Sequence, residues 1–339
     1  MKQVLYSFVL LFCLFTWNGF GQIIYGYVYD TAKDTPLSGA SVYINGTTIG
    51  TISDDEGRFL IKTDREIKAS LVVSYVGYAT QAVNNAYRGE VLEIVLQPQV
   101  DGLDEVLLRA DSWTWEKKLR EFKRQFLGNN RAGDLCIIVN EDDLDLWFDE
   151  ETNTLKASCD VPIRIRNNLL GYEIEYHLND FEAVYENPAR AYPYCKFTYY
   201  DGWSYFRDFT NNPEALARFR KSRVEEYEGS VRHFLRSLVQ NNLKDEGFAL
   251  LNDRFPVPEN RVFTITPRGD RHVVLVKKNF FLEYLEKNER SLVTKENKEM
   301  PLIVFSDGNY IPPKDLRFDG FLAEDRVGNA LPRNFNPGL

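Results

Sequence analysis

The sequence predicts a mainly β protein with an α+β part: a seven-stranded β-sandwich at the N-terminus, followed by an α+β domain. Three observations carry this. From Ile23 to Gln97, short β-branched and aromatic runs alternate with Gly, Pro, Asp and Asn, the punctuation of a small antiparallel sandwich. Gln97-Pro98-Gln99-Val100-Asp101-Gly102 then breaks the pattern as a polar linker. Beyond it, helical periodicity appears between further strand-like runs. At 339 residues the chain has room for two domains with a substantial core.

The first stretch reads as a targeting segment. Lys2 supplies a positive start, Val4–Trp17 an apolar run, and Gly19 and Gly21 the small residues of a cleavage site before Gln22. The run is shorter than the roughly 20 apolar residues of a membrane span. Cys13 follows Phe12 inside the run, so the small residue a lipoprotein site needs is missing. The expectation is a signal peptide over 1–21 and no membrane span after its cleavage.

Within 22–98, Val42 and Ile44 lead into Asn45-Gly46, which suits a type I′ hairpin. Asp54-Asp55-Glu56-Gly57 turns the chain from Ile49–Ile52 into Phe59–Ile61. Leu71, Val73 and Tyr75 alternate with Val72 and Ser74, so one face of that strand is free to be buried.

This stretch resembles the carboxypeptidase-regulatory-like domain, a transthyretin-like β-sandwich. The matching residues are Gly26-Tyr27-Val28, Pro36-Leu37-Ser38-Gly39-Ala40-Ser41-Val42, Gly46-Thr47-Thr48-Ile49-Gly50-Thr51, Asp54, Gly57, Phe59 and Ser74-Tyr75-Val76-Gly77-Tyr78. The resemblance implies an accessory module of envelope proteins with no catalytic residues of its own. A zinc carboxypeptidase needs an H-x-x-E pair and a distant His. His177, His233 and His272 are the only histidines, and none has the Glu three residues on. Zinc carboxypeptidase activity is therefore unsupported.

Leu103-Asp104-Glu105-Val106 is similar to the run that leads into the plug of TonB-dependent transporters, yet the chain beyond lacks the serial strands of a transporter barrel. The linker spans 99–111 and the α+β domain 112–339. Asp111-Ser112 can cap a helix with Trp115, Leu119, Phe122 and Phe126 on one face, ending at Gly128. Its other face carries Lys117, Lys118, Arg120, Lys123 and Arg124, which reads as a solvated face or as a contact for an acidic partner.

Strands follow at Leu135–Val139, Leu144–Phe148, Leu155–Cys159, Ile163–Ile165 and Tyr172–Leu178. Tyr194–Tyr200 and Trp203–Phe209 flank Asp201-Gly202, a hairpin signal. Asn212-Pro213 opens a helix to about Tyr227, and Gly229-Ser230 a second to about Leu243. Further strands are expected at Val262–Thr266, His272–Val276, Leu292–Thr294 and Leu302–Phe305, then an irregular tail from Phe318. Arg268-Gly269-Asp270 reads as a hairpin turn.

This region resembles the part that follows the sandwich in an uncharacterised group of exported proteins from Gram-negative bacteria. Pro162–Tyr172, Tyr227–Leu238, Glu246-Gly247-Phe248 and Arg326-Val327 carry the resemblance. It implies no activity and no catalytic residues.

The search for chemistry yields little. No G-x-S-x-G, G-x-x-x-x-G-K-[ST] or G-x-G-x-x-G occurs. The acidic run Asn140–Asp145, with Asp149, Glu150 and Glu151, lacks the Gly and ligand periodicity of an EF-hand. No catalytic residue, metal site or cofactor is expected. The best polar cluster is Ser230, His233 and Arg236, a helix cap with neighbours at helical spacing. It could serve a periplasmic hydrolase of unrecognised type. Tyr199, Trp203 and Tyr205 form a candidate aromatic surface. Cys136 and Cys159 sit on segments that could be neighbouring strands and form a disulfide; three buried thiols, with Cys195, are the alternative.

A net charge of −9 argues against nucleic acid and anionic membrane surfaces. The leading expectation is a non-catalytic, exported protein of the periplasm, with outer-membrane association open, that binds an envelope protein or glycan.

Overall fold

The computed structural model describes residues 21–31, 35–64, 67–86, 89–99, 112–269 and 271–338. The signal segment up to residue 20 and the linker from residue 100 to 111 lie outside the described residues. The chain forms two compact units, Met1–Val106 and Leu107–Leu339.

The first unit is a β-sandwich. Its strands are β1 (Gln22–Asp30), β2 (Thr35–Pro36), β3 (Ser41–Ile44), β4 (Gly50–Ile52), β5 (Arg58–Thr63), β6 (Leu71–Ser74), β7 (Gln81–Val83) and β8 (Leu92–Leu96). Seven have three residues or more, and β2 adds a two-residue edge. One sheet is β2-β1-β5 with β8 also on β1, the other β4-β3-β6-β7. β1 alternates along its length, burying Ile24 and Val28 while exposing Ile23 and Tyr25. Two details differ from the sequence expectation. β8 runs parallel to β1, because the chain crosses from one sheet to the other between β7 and β8. Asn45-Gly46 is not a two-residue turn: Thr47 extends the loop, its Oγ1 donating to the Ile44 carbonyl and accepting from the Ile49 N–H. The turn at Asp54–Gly57 stands, with Asp54 Oδ1 accepting from the N–H groups of Glu56 and Arg58.

The second unit has two cores. Around the first, helix α1 (Trp115–Phe126) packs against an antiparallel sheet of β9 (Cys136–Ile138), β10 (Asp145–Asp149), β11 (Thr154–Ser158), β12 (Ile163–Asn167), β13 (Tyr172–Glu186) and β14 (Tyr194–Asp208), and a short helix, α2 (Arg131–Asp134), follows α1. Thr114 caps α1 in place of the expected Asp111-Ser112, of which Asp111 lies outside the described residues: the Thr114 Oγ1 accepts from the Lys117 N–H. Phe122 and Phe126 are fully buried and stacked 5.0 Å apart, while Trp115 points outward and Trp113 takes the core position, stacked 4.3 Å from Phe148.

β13 is long enough to carry β12 on its first half and β11 on its second, with β14 along the opposite edge. β14 is continuous through Asp201-Gly202, which the sequence marks as a turn. There the two residues face a bulge at Leu178–Asp180, and a Cβ on Gly202 would stand 2.2 Å from the His177 carbonyl oxygen.

Around the second core, α3 (Pro213–Tyr227) and α4 (Val231–Val239) precede β15 (Phe248–Asn252), β16 (Phe255–Pro256), β17 (Phe263–Arg268), β18 (Arg271–Val276), β19 (Phe280–Tyr284), β20 (Glu289–Lys295), β21 (Leu302–Phe305), β22 (Tyr310–Ile311) and β23 (Leu316–Gly320). These form the sheets β16-β15-β19-β20-β23 and β17-β18-β21-β22. Asn212 caps α3 with Pro213 in its first turn, and Ser230 caps α4. Phe234, Leu235 and Leu238 of α4 enter the core.

The C-terminal segment ties the cores together. Val327 packs in the first core, Arg326 donates to the Gln125 carbonyl, and Asn167 donates to the Gly328 carbonyl. A Cβ on Gly328 would lie 2.4 Å from the Leu127 carbonyl oxygen, so only glycine admits this approach. Among the described residues, no helix is long and apolar enough to cross a membrane.

The Cys136–Cys159 disulfide, one of the two alternatives the sequence leaves open, is not formed: Cys136, Cys159 and Cys195 are free. Cys136 is in β9 and Cys159 follows β11, strands on different branches of the sheet with β12 and β13 between them. Burial pushes the Cys136 thiol up to about 12.

Candidate functional site

Ser230, His233 and Arg236 do come together, but as a helix start. Ser230 Oγ accepts from the His233 N–H and donates to the Tyr227 carbonyl. Both of its bonds are to backbone, so Ser230 does not meet the imidazole. The ring itself is 4 % exposed, between Tyr227 and Phe248 at 4.9 and 4.8 Å. Its Nδ1 accepts from the Gly229 N–H, which fixes the proton on Nε2, and Nε2 donates to Glu246 Oε2 at 3.1 Å. Burial lowers the His233 pKa, with Glu246 opposing. Arg236 faces the Tyr227 hydroxyl. Each polar atom of the Ser–His pair is committed to holding α3, α4 and the start of β15.

The aromatic set divides. Alternation along β14 puts Phe197, Tyr199, Trp203 and Tyr205 on one face, and Thr198, Tyr200 and Phe206 on the α1 side. Trp203 and Tyr205 are half-buried opposite His177 and Glu175. Only Tyr199 of the expected three lines the large cleft of this unit.

That cleft, of about 1230 Å³, opens between the first half of β14 and the segment from Tyr310 to Arg326. At its mouth Tyr192, Tyr194 and Phe197 are 76, 67 and 46 % exposed. Lys314 reaches across to stand 3.7 Å over the Tyr199 ring. The floor holds Tyr200, Tyr310, Asp325 and Arg326. Burial, with Glu226 adding to it, pushes the Asp325 carboxyl up to about 7.

The cleft's charges are partly spent. Arg317 faces Glu296 and Asp319, Lys196 faces Glu186, and Glu182 faces Lys156. On α1, Lys117 donates to the Pro188 carbonyl and Arg120 to the Ala191 carbonyl, steadying the β13–β14 connection. Lys123 pairs with Glu141. The basic face of α1 is thus largely used inside the unit. The guanidinium groups of Arg124 and Arg190 line the cleft with no side-chain ion pair or hydrogen bond among the described residues. Among those residues, no group of three or more His, Cys, Asp or Glu side chains could hold a metal ion.

Sequence reasoning missed the cleft because its second wall, at Tyr310, Lys314 and Asp325, lies more than a hundred residues from the first. Arg124 was legible only as one of five basic residues. Tyr192 and Tyr194 flank Pro193 in an aromatic run, the one local signal available.

Comparison with known proteins bears on the other unit. Residues 24–108 match the family described as the CarboxypepD_reg-like domain. This segment is a CarboxypepD_reg-like domain. Two relatives share it: the TonB-dependent receptor SusC of Bacteroides thetaiotaomicron, 35 % identical over 83 residues, and the TonB-dependent receptor P39 of Formosa agariphila, 37 % identical over 73 residues. The matches cover 24 and 22 % of this chain, and only 8 and 7 % of the receptors. A chain of a cohesin–X-dockerin complex from Acetivibrio cellulolyticus is 22 % identical over 23 % of this chain and 58 % of its own, with a TM-score of 0.20, too low to define a shared fold.

Proposed function

We propose that this chain is a non-catalytic cell-envelope protein, exported to the periplasm by its 1–21 segment and working beside outer-membrane components. The CarboxypepD_reg-like domain is its docking or spacer module. The unit beyond the 99–111 linker binds a protein or glycan partner. One observation carries the reading: a roomy cleft with three exposed aromatic rings and two uncommitted arginines, the residue types that dominate binding surfaces. The likeness to two TonB-dependent receptors supports the compartment. The Ser230–His233 geometry gives the hydrolase alternative no support, since the hydroxyl is not on the ring.

A photo-crosslinking residue at Tyr192, used in intact envelopes, tests this. The expected result is one stoichiometric adduct, lost when Tyr194 and Phe197 are changed to Ala. An adduct pattern indifferent to those changes, or substrate turnover by the purified chain, overturns it.

A further inference from the structure

β14 is an edge strand of fifteen residues. Its one partner is β13, and among the described residues no backbone hydrogen bond joins Tyr194–Asp208 to any other segment. Proteins usually blunt such an edge with proline, short length or a cover, because its open N–H and C=O groups template another strand. Here the half from Tyr194 to Tyr200 borders the cleft, giving roughly 20 Å of open edge at about 3.4 Å per residue.

We propose that the cleft takes an extended, acidic peptide segment of a partner protein, which adds to β14 as a further strand. The proposal rests on the cleft being a binding site and names what it binds. An incoming strand satisfies the alternating donors and acceptors of the edge, which a saccharide cannot do in register. The sign of the occupant's charge follows from what is left over on the β14 side. Glu182 and Lys196 are paired, whereas Arg124 and Arg190 are not. Arginine forks suit carboxylates bidentately. On the far wall Arg317 faces two carboxylates, an excess of one negative charge that Lys314 offsets, and the Asp325 carboxyl, pushed up to about 7, is only partly ionised at neutral pH, so Glu324 is the main opposing charge. Tyr192, Tyr194 and Phe197 stand ready to cover alternate side chains of the added strand. The anchoring of the connection by Lys117 and Arg120 means the edge is preformed.

The full chain is titrated with a fluorescent decapeptide of alternating Glu and Val, with its Lys–Val counterpart, and with a Glu–Val peptide N-methylated at alternate residues. The acidic peptide is expected to bind at least about tenfold more tightly than the Lys version. N-methylation on the pairing edge should abolish binding, and hydrogen exchange should slow at amides within Tyr194–Tyr200. Arg124→Glu with Arg190→Glu should reverse the charge preference while leaving the circular dichroism spectrum unchanged. Equal affinity for both charge types, or binding without protection of β14, overturns the proposal. Binding of an oligogalacturonate with no response to the peptides also overturns it, yet leaves the cleft as a binding site. Failure of every probe while Tyr192 crosslinking still depends on Tyr194 and Phe197 does the same.

Discussion

Lys295 is 1 % exposed, and its ammonium lies 2.6 Å from both Asp315 Oδ2 and the Asn297 carbonyl. A buried charge of this kind is tolerated only while its partner is present, because the attraction in a low-dielectric interior offsets the desolvation cost. Asp315→Ala leaves the ammonium stranded and should cost about 3–5 kcal/mol. Replacing both residues, Lys295→Met with Asp315→Leu, removes the charge and the need for a partner together, so most of that loss should return. Urea unfolding of the three variants decides the matter. If the double variant is as unstable as Asp315→Ala, the pair is not what holds β20 to the turn before β23. Arg232 shows the same logic without a salt bridge: its guanidinium donates to the carbonyls of Asp307, Pro332, Arg333 and Phe335, and burial lowers its pKa to about 10.

The β13–β14 hairpin is the element on which the cleft is built, and it also shows where the sequence misleads. Asp201-Gly202 has the composition of a two-residue turn. The real connection lies at 187–193, where Asn187 takes φ 52°, and Gly202 is small for a different reason, the close approach of the His177 carbonyl and the Tyr176 ring. Gly202→Val should therefore destabilise by about 1–3 kcal/mol through overpacking, although valine is a better strand former. A stabilised variant in urea unfolding would mean that the position is ordinary strand after all. What local pattern encodes was legible: the sandwich with its Asp54–Gly57 turn, the Asn212-Pro213 and Ser230 helix starts, and the Phe122–Phe126 face. What depends on distant partners was not. Nothing near Arg326 announces that it binds Gln125, and nothing in β14 announces that its far edge is left open. The residues quoted for the second resemblance turn out to be joints of the fold. Asn167 holds Gly328, and His233 holds Glu246.

Across the whole molecule, two histidines and one carboxyl with shifted pKa values set opposing slopes of stability against pH. Burial lowers the His177 pKa from 6.5 to about 4 and lowers that of His233 as well. Below about pH 6.5 the unfolded chain takes up these protons and the folded chain does not, so stability falls with acid. Asp325 acts the other way, its pKa being raised from 3.8 to about 7. Between those values the folded chain keeps a proton that the unfolded chain has released, and stability falls as pH rises. In the overlap the His177 and Asp325 protons nearly cancel, and the lowered pKa of His233 tips the balance, so acid still destabilises, but less steeply. Between about 6.5 and 7, of these three groups only Asp325 acts, and their combined maximum should sit near the lower of these values. Asp325→Asn deletes one slope: its stability should level off above about pH 6.5 instead of declining, and fall more steeply on the acid side. Unfolding free energies from urea titrations across this range test the assignment. Parallel profiles for the parent and the variant would show that the carboxyl on the cleft floor is ionised at neutrality, and the cleft would then carry one more negative charge against an acidic occupant.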